Sequence, residues 1–160
     1  MAQGTRATKF LERAGVPFSI HTYGFDAEAA SIGLHAAEAL DEDPARVLKS
    51  LMVLVDGKPA CAIVPADRAL SMKRLAAALG GKSAQLMPAA DAERVSGYKI
   101  GGVSPFGQTR QLPVVIEQSA LAQEFVYING GQRGLQVRLD PAAAARVLGA
   151  LAASVAAGRR

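Results

Sequence analysis

Residues Ser96–Gln108 read SGYKIGGVSPFGQ, a stretch with four glycines, one proline and no helical pattern of apolar residues. Glycine accepts positive φ and lets the backbone approach another group closely, whereas Pro105 fixes its own φ. A loop of this composition can direct several backbone N–H groups at one point, which suits an anion or a developing oxyanion. A sharp connection between two secondary-structure elements would explain the same composition, and both interpretations stay open at this point.

The composition predicts one globular domain over residues 1–160, because half of the residues are hydrophobic and a fifth are charged. No apolar run approaches the ~20 residues of a membrane helix, and the first residues lack the apolar segment of a signal peptide. The single cysteine, Cys61, lies in an apolar run, so a reducing cytoplasm is the expected location. One cysteine and two histidines are too few for a structural metal site, and we expect no metal and no cofactor.

The net charge of +4 permits a polyanionic partner such as RNA. The basic residues are nevertheless scattered along the chain from Arg6 to Arg160, which is typical of a solvated surface. Charge alone therefore indicates no docking face.

Local patterns predict helices and strands along the whole chain. Capping residues predict helix starts after Thr5, Ser31, Asp43, Ser71 and Asp140, the last helix continuing to about Ala157. Apolar runs predict strands at 18–23, 50–55, 59–64, 83–87, 112–117, 124–128 and 134–139. Asp56-Gly57 predicts a hairpin, and Asn129–Gly131 a tight turn. The fold class predicted is mixed α/β, with a single curved, mostly antiparallel sheet flanked by helices.

Lys49 is the first candidate for chemistry. It introduces the apolar run SLMVLV, and an ammonium at that place is costly unless it snorkels to solvent or has a function. The available functions are binding a phosphate, holding a carbonyl or hydroxyl oxygen, or forming a Schiff base. The residues alone leave snorkelling and these functions open.

Three further side chains are candidates. Tyr23 offers a ring for stacking or a hydroxyl for hydrogen bonding, although it can equally cover the edge of the core. Arg133 is flanked by glycines in NGGQRG, so its guanidinium can grip a phosphate or carboxylate, or form a surface ion pair. Ser104 has no evident partner histidine, which argues against a serine nucleophile.

Five motifs follow one another along the chain: Lys49–Leu51, Val64-Pro65, Met72-Lys73 with Ala76, GYKIGGVSPFGQ and GGQRGL. In this order they resemble the YbaK/EbsC-type aminoacyl-tRNA deacylases, which are relatives of the editing domain of bacterial prolyl-tRNA synthetases. The resemblance extends from Thr5 to the final helix. It implies a curved mixed sheet flanked by helices, and hydrolysis of a mischarged aminoacyl ester at the tRNA 3′ end.

The resemblance also implies residue roles. Lys49 would hold the phosphate or ribose oxygens of the terminal adenosine, and the reaction could least spare it. Backbone N–H groups at Gly101 and Gly102 would stabilise the tetrahedral oxyanion. Gly101, Gly102 and the Ser104-Pro105 turn would form the acyl pocket. The other expected substrate-binding residues are Tyr23, Ile32, Ser50, Asn129, Arg133 and Gln136.

In the best-known members of this family the substrate is cysteine mischarged on proline tRNA, and the substrate thiol attacks the ester carbonyl. Such an enzyme needs no protein nucleophile and no metal. The expected function is therefore a trans-editing hydrolase in the cytoplasm that acts on cysteine first and alanine second. Its expected partners are mischarged tRNA and prolyl-tRNA synthetase.

The chain departs from the family pattern at several positions. Phe25-Asp26-Ala27 replaces His-Asp-Pro, and Ile32 stands where an aromatic residue is usual. In the last motif, serine, lysine and an acid are replaced by Asn129, Gln132 and Gln136. An amide at position 136 changes the electrostatics for a bound α-amino group, because a carboxylate pairs with an ammonium far better. A non-catalytic tRNA- or nucleotide-binding module and a lysine Schiff-base enzyme are the alternatives.

Overall fold

The computed structural model describes residues 4–26, 28–29 and 31–159, which contain five α-helices and ten strands. The helices are α1 (Arg6–Arg13), α2 (Ile32–Ala39), α3 (Met72–Ala78), α4 (Ala89–Ser96) and α5 (Pro141–Leu148). The strands are β1 (Ser19–Thr22), β2 (Leu48–Val55), β3 (Lys58–Pro65), β4 (Arg68–Leu70), β5 (Ala84–Leu86), β6 (Val114–Glu117), β7 (Val126–Gln132), β8 (Leu135–Leu139), β9 (Leu151–Ala153) and β10 (Ala156–Arg159). Within these ranges no helix is long and apolar enough to cross a membrane.

The predicted starts of the helices are confirmed. A backbone N–H of the first turn donates to the side chain of each predicted capping residue: Thr5, Ser31, Asp43, Ser71 and Asp140. The segment after Asp43 is a short 3₁₀ helix, Pro44–Arg46. The predicted hairpin is also confirmed, since Asp56 and Gly57 both have positive φ and join β2 to β3 in register.

The strands form three hydrogen-bonded sheets. One has the order β5-β2-β3-β6-β9, a second β1-β8-β7 and a third β10-β4. All pairings are antiparallel except β3 with β6 and β6 with β9. The mixed α/β class and the mostly antiparallel pairing are confirmed. The strands were expected to form one sheet, and this detail is wrong. In the described part of the chain, the five-stranded and the three-stranded sheet are joined only by one bridge, between Val47 and Tyr127.

Two further predictions are wrong. The last helix ends at Leu148, because Gly149 adopts φ +61° there, and the chain continues as β9 and β10. The predicted tight turn at Asn129–Gly131 lies within β7, where Asn129 pairs with Gln136 across a bulge. The turn itself falls at Arg133 and Gly134, and Gly134 supplies the positive φ.

The five-stranded sheet carries a core on each face, as alternating side chains of buried strands require. One face packs against the three-stranded sheet, α1 and α4 through residues that include Leu48, Met52, Ile63 and Ile116. The other face packs against α3 and the segment before β10 through Val53, Val64, Val115 and their neighbours. Helix α2 covers a third, smaller cluster with Val47, Ala66 and Tyr127.

The glycine-rich loop lies against the β7 bulge at backbone contact distance. A Cβ on Gly102 would lie 2.8 Å from Arg133 N and 3.0 Å from the carbonyl carbon of Gln132. On the other side of the loop, a Cβ on Gly107 would lie 2.7 Å from the Arg6 carbonyl oxygen. The loop therefore fits between α1 and the bulge only because it lacks side chains at these points.

The buried carboxylate of Glu117 anchors the C-terminal strands. Its oxygens accept hydrogen bonds from the N–H groups of Val155 (2.9 Å), Ala156 (2.8 Å) and Ser119 (2.9 Å). Burial acts to raise the pKa of Glu117, but these hydrogen bonds outweigh burial and hold the pKa below its ordinary value. The ionised carboxylate is thus the form that stabilises the fold.

We expect Glu117→Ala to lower the free energy of unfolding by about 3 kcal/mol at pH 7, because buried donors lose their acceptor. Because the pKa is lowered in the folded state, this stabilisation is present above the ordinary pKa of glutamate and is lost as the pH falls through and below it. Urea unfolding at pH 7 and at acidic pH measures both effects. Glu12→Ala, at an exposed position of α1, is the control and should change stability by less than about 0.5 kcal/mol. A pH-independent difference between Glu117→Ala and the wild type would contradict the role of the ionised form.

Gly102→Ala should destabilise the protein by about 2 kcal/mol, because the new methyl group must push the loop away from the bulge. The matched control is Gly24→Ala, where an added Cβ meets no heavy atom within 4 Å and φ is not in the left-handed region. Urea unfolding of both variants tests the close contact. If Gly102→Ala were as stable as Gly24→Ala, the two segments would not depend on their close approach.

Candidate functional site

A cavity of about 550 Å³ opens beside the free edge of β2. Strand β5 pairs only with Val53–Val55, so the first half of β2 has no strand on that side. The remaining walls come from α2, α4, the start of α3, strand β4, the glycine-rich loop, and one residue each of β7 and β8. This volume is in the usual range of small-molecule sites.

Six of the predicted site residues line this cavity: Ile32, Lys49, Ser50, Gly101, Asn129 and Gln136. They come from five different segments of the chain, which the fold brings together. The predicted residues that do not line it are Tyr23, Gly102, Ser104, Pro105 and Arg133.

Lys49 is the one charged residue among the described residues that line the cavity. It lies in β2 opposite Val64 and is half-buried. Helix α2 packs closely over this part of the strand, since a Cβ on Gly33 would lie 3.1 Å from Ala66 Cβ and 3.9 Å from Lys49 Cβ. The missing side chain of Gly33 therefore brings α2 close to the base of the lysine.

Three buried polar atoms near the cavity have no partner in good hydrogen-bonding geometry: Tyr23 OH, Ser50 Oγ and Gln136 Oε1. Burial raises the pKa of the Tyr23 hydroxyl, and the nearby Gln136 side chain acts in the opposite direction. Buried polar groups are ordinarily satisfied, so unsatisfied ones beside a cavity mark places where a bound molecule can supply the partner.

The side chain of Asn129 connects the glycine-rich loop to the bulge. Its Nδ2 donates to the Gly101 carbonyl oxygen at 3.2 Å, and its Oδ1 accepts from Gly131 N at 2.7 Å and from Gln132 N at 3.2 Å. Because the amide N–H binds the glycine-rich loop and the amide oxygen binds the bulge, Asn129 holds these two parts of the cavity wall together.

The Gly102 N–H, predicted to stabilise the oxyanion, donates to the Lys99 carbonyl oxygen at 2.8 Å and is thus already used within the loop. The next turn, predicted to form the acyl pocket with Ser104 and Pro105, does not line this cavity. Ser104 is fully buried, and its Oγ accepts from Phe106 N at 3.2 Å. Pro105 lines a different cavity, of about 250 Å³, on the side of Phe10 and Leu148.

Arg133 supports the loop from outside. Its Nε donates to the Ile100 carbonyl oxygen at 2.8 Å, and its guanidinium lies 5.3 Å from the centre of the Phe25 ring. The ring of Phe25 in turn contacts Gly101, where a Cβ would lie 2.9 Å from it. Phe25 is thus part of the rim, while Ala27, the last residue of that departing motif, lies outside the described residues.

Sequence reasoning missed the apolar part of the site. The cavity is also lined by Leu51, Leu70, Met72, Leu86, Met87 and Ile100. Leu86 and Ile100 are the two that are exposed, with 55% and 36% of their surface accessible. Apolar residues beside turns carry no signal that separates a cavity wall from a core, so a single sequence offers no way to select them.

The chemistry available to the site is limited to one cation, neutral polar groups and apolar walls. No group of three or more His, Cys, Asp or Glu in the described ranges is placed to hold a metal ion. Cys61 is buried, and burial raises the pKa of its thiol to about 12, so it is not a thiolate at neutral pH. The arrangement can bind a small acyl group beside an anionic or hydroxyl-bearing moiety.

The chain is similar in sequence and fold to several known proteins. The chain is 32% identical over 143 residues to EbsC of Enterococcus faecalis, a candidate Cys-tRNA(Pro)/Cys-tRNA(Cys) deacylase, with 88% of this chain and 86% of EbsC covered. It is 30% identical over 118 residues to the uncharacterized protein YwhH of Bacillus subtilis, with 73% and 74% covered. The crystal structure of a candidate trans-editing enzyme for prolyl-tRNA synthetase has the same fold, with a TM-score of 0.83, 22% identity and 96% of each chain covered.

The profile of the aminoacyl-tRNA editing domain matches residues 26–147, which include all six predicted residues that line the cavity. The resemblance drawn from the motifs and the prediction of an aminoacyl-tRNA deacylase are both confirmed at the level of the family. The chain belongs to the aminoacyl-tRNA editing domain family.

Proposed function

We propose that this protein is a trans-editing hydrolase that deacylates tRNA(Pro) mischarged with cysteine or with another small amino acid such as alanine. The observation that carries the proposal is Lys49, a single cation in a cavity whose other described lining residues are uncharged. The 32% identity to a candidate Cys-tRNA(Pro)/Cys-tRNA(Cys) deacylase supports the choice of substrate.

Lys49 would hold the nucleotide end of the substrate. Lys49 is half-buried as a residue, so it would interact with a phosphate or a ribose oxygen more strongly than a fully solvated lysine does. Gly101 would lie beside the ester, since it lines the cavity and its own carbonyl is held by Asn129. Gly102 would not supply its N–H to the oxyanion, because that N–H closes the turn with Lys99.

The attacking group would come from the substrate or from solvent. Ser31 and Ser50 line the cavity, but no histidine does among the described residues, so neither serine has an activating base there. In the hydrolysis, a water oxygen adds to the acyl carbon, the bond from that carbon to the ribose oxygen breaks, and the ribose oxygen takes a proton. With a cysteinyl ester the substrate thiol can make the first attack, and water then opens the thiolactone.

Prolyl-tRNA synthetase is the proposed partner, because mischarged tRNA(Pro) leaves that enzyme. The structural relative described as a candidate trans-editing enzyme for prolyl-tRNA synthetase supports this choice. A non-catalytic tRNA- or nucleotide-binding module is the second candidate. This candidate is favoured by Gln136 in the cavity wall, because a neutral amide stands there in place of the acid that is usual in the family.

Lys49→Ala should lower kcat/KM for deacylation of Cys-tRNA(Pro) or Ala-tRNA(Pro) by at least about 100-fold, the scale of losing one key electrostatic contact in a transition state. Lys58→Ala is the matched control, because Lys58 lies on the exposed hairpin end of the same pair of strands. Its activity should equal that of the wild type. Release of the radiolabelled amino acid measures the rate, and thermal unfolding checks that both variants are folded.

A wild-type protein that leaves every small-amino-acid ester of tRNA(Pro) intact would overturn the proposal. Binding of tRNA without turnover would then identify the binding module. Reduction with borohydride in the presence of substrate tests the Schiff-base alternative, and a covalent adduct at Lys49 would favour it.

A further inference from the structure

The wall of the cavity at Gln136 is unusual for a site that receives an amino acid. Gln136 is only 5% exposed and lines the cavity, and its Oε1 has no partner in good hydrogen-bonding geometry, although its side chain lies close enough to the Tyr23 hydroxyl to act on the pKa of that group. None of the described residues that line the cavity is an aspartate or a glutamate. The described lining itself therefore offers no carboxylate to an α-ammonium group.

The titratable groups around Gln136 are few. His21 is its register partner on β1 and packs edge-on against Tyr127 at 5.2 Å, while the partner on β7 is the neutral Asn129. Tyr23 is the nearby hydroxyl, and His35 of α2 packs on the Tyr23 ring at 5.8 Å. Lys49 faces the same cavity from β2. Asp67, whose Oδ1 is buried, lies just before β4 and does not line the cavity, so no carboxylate belongs to the described lining.

The physical consequence concerns the charge of the bound acyl group. Moving an ammonium out of water into this cavity loses hydration, and an amide dipole compensates for that loss far less than a carboxylate would. A neutral amine or a hydroxyl has both a donor and an acceptor, so it can meet either end of the Gln136 amide. An ammonium has donors only and cannot accept from the amide N–H groups.

We propose that Gln136 selects acyl esters whose α-substituent is uncharged, namely a deprotonated α-amine or a hydroxyl. The inference rests on the proposed function, because it assigns the substrate class of the same site. On this proposal the site binds the neutral form of an aminoacyl ester. The substrate class then also includes α-hydroxyacyl esters of the same shape. Gln136 is thus a specificity-determining residue.

Binding of two stable adenosine analogues tests the inference without requiring turnover. In one analogue alanine is joined to the 3′ position through an amide, and in the other lactic acid is joined in the same way. The two differ only in the α-substituent, and an α-amino group titrates near 8. Isothermal titration calorimetry from pH 6 to pH 9 gives the affinity of the wild-type protein for each.

The alanyl analogue should bind about tenfold more weakly for each pH unit below the titration of its amine, so roughly 100-fold more weakly at pH 6 than at pH 9. Its binding at pH 7 should also release a proton, which appears as a dependence of the binding heat on the buffer. The lactyl analogue should change by less than about threefold, since it carries no titrating amine. Both analogues meet the same groups of the protein, so the difference between the analogues isolates the amine.

Two variants assign the effect to residue 136. Gln136→Glu should bind the alanyl analogue about tenfold more tightly than the wild type at pH 7 and gain nothing for the lactyl analogue. Gln136→Met, similar in volume, should weaken both analogues at pH 9. Thermal unfolding shows whether each variant is folded, and the pH dependence of the wild type needs no variant at all.

An alanyl affinity that is constant or greater at pH 6, or a failure of both analogues to bind, would overturn the inference. The proposed function is judged separately by hydrolysis of mischarged tRNA. Hydrolysis together with pH-independent binding would remove this inference and leave the function standing, whereas the absence of hydrolysis would remove the function.

Discussion

The site depends on the contact between the glycine-rich loop and the β7 bulge. Gly102 faces the backbone of Gln132 and Arg133 at a distance that leaves room for a hydrogen but for no methyl group. The contact places Gly101 within reach of the Asn129 amide, which holds its carbonyl. Two loops that are far apart in the sequence thus form one wall, and its rigidity comes from shape and amide hydrogen bonds rather than from charge.

The second requirement is the open edge of β2. Because β5 stops pairing at Val53, the strand that carries Lys49 and Ser50 borders a cavity on one side and stays hydrogen-bonded to β3 on the other. An ammonium at this position is supported by a fully formed strand pair, yet it reaches the space where a ligand would lie. Burying part of a lysine costs hydration free energy, and the position of Lys49 at the cavity gives this residue a possible role in ligand binding.

Local features of the fold could be predicted from the sequence, and long-range features could not. The cap at Thr5 and the hairpin at Asp56-Gly57 depend on neighbours in the chain, so the pattern alone was sufficient. The alanine-rich segment after Gly149 favours a helix by propensity, but β6 and β4 offer it partners, and tertiary pairing prevailed. In the site, Lys49 and Gly101 were identified by type and motif. Ser104 was expected in the pocket but is fully buried outside the cavity wall. Composition does not reveal which peptide of a loop faces the cavity.

The two ends of the cavity differ in the chemical groups that they offer to a substrate. At Lys49 the site offers a full charge, which any nucleotide can engage through its phosphate or ribose oxygens, so this end discriminates little between acyl groups. At Gln136 the site offers only a buried amide, and a buried polar group penalises a mismatched partner more than it rewards a matched one. Choice between substrates should therefore arise at the neutral end. A relative with a carboxylate at that position would use the same lysine and the same glycine loop, and would differ in the charge of the α-substituent that it accepts.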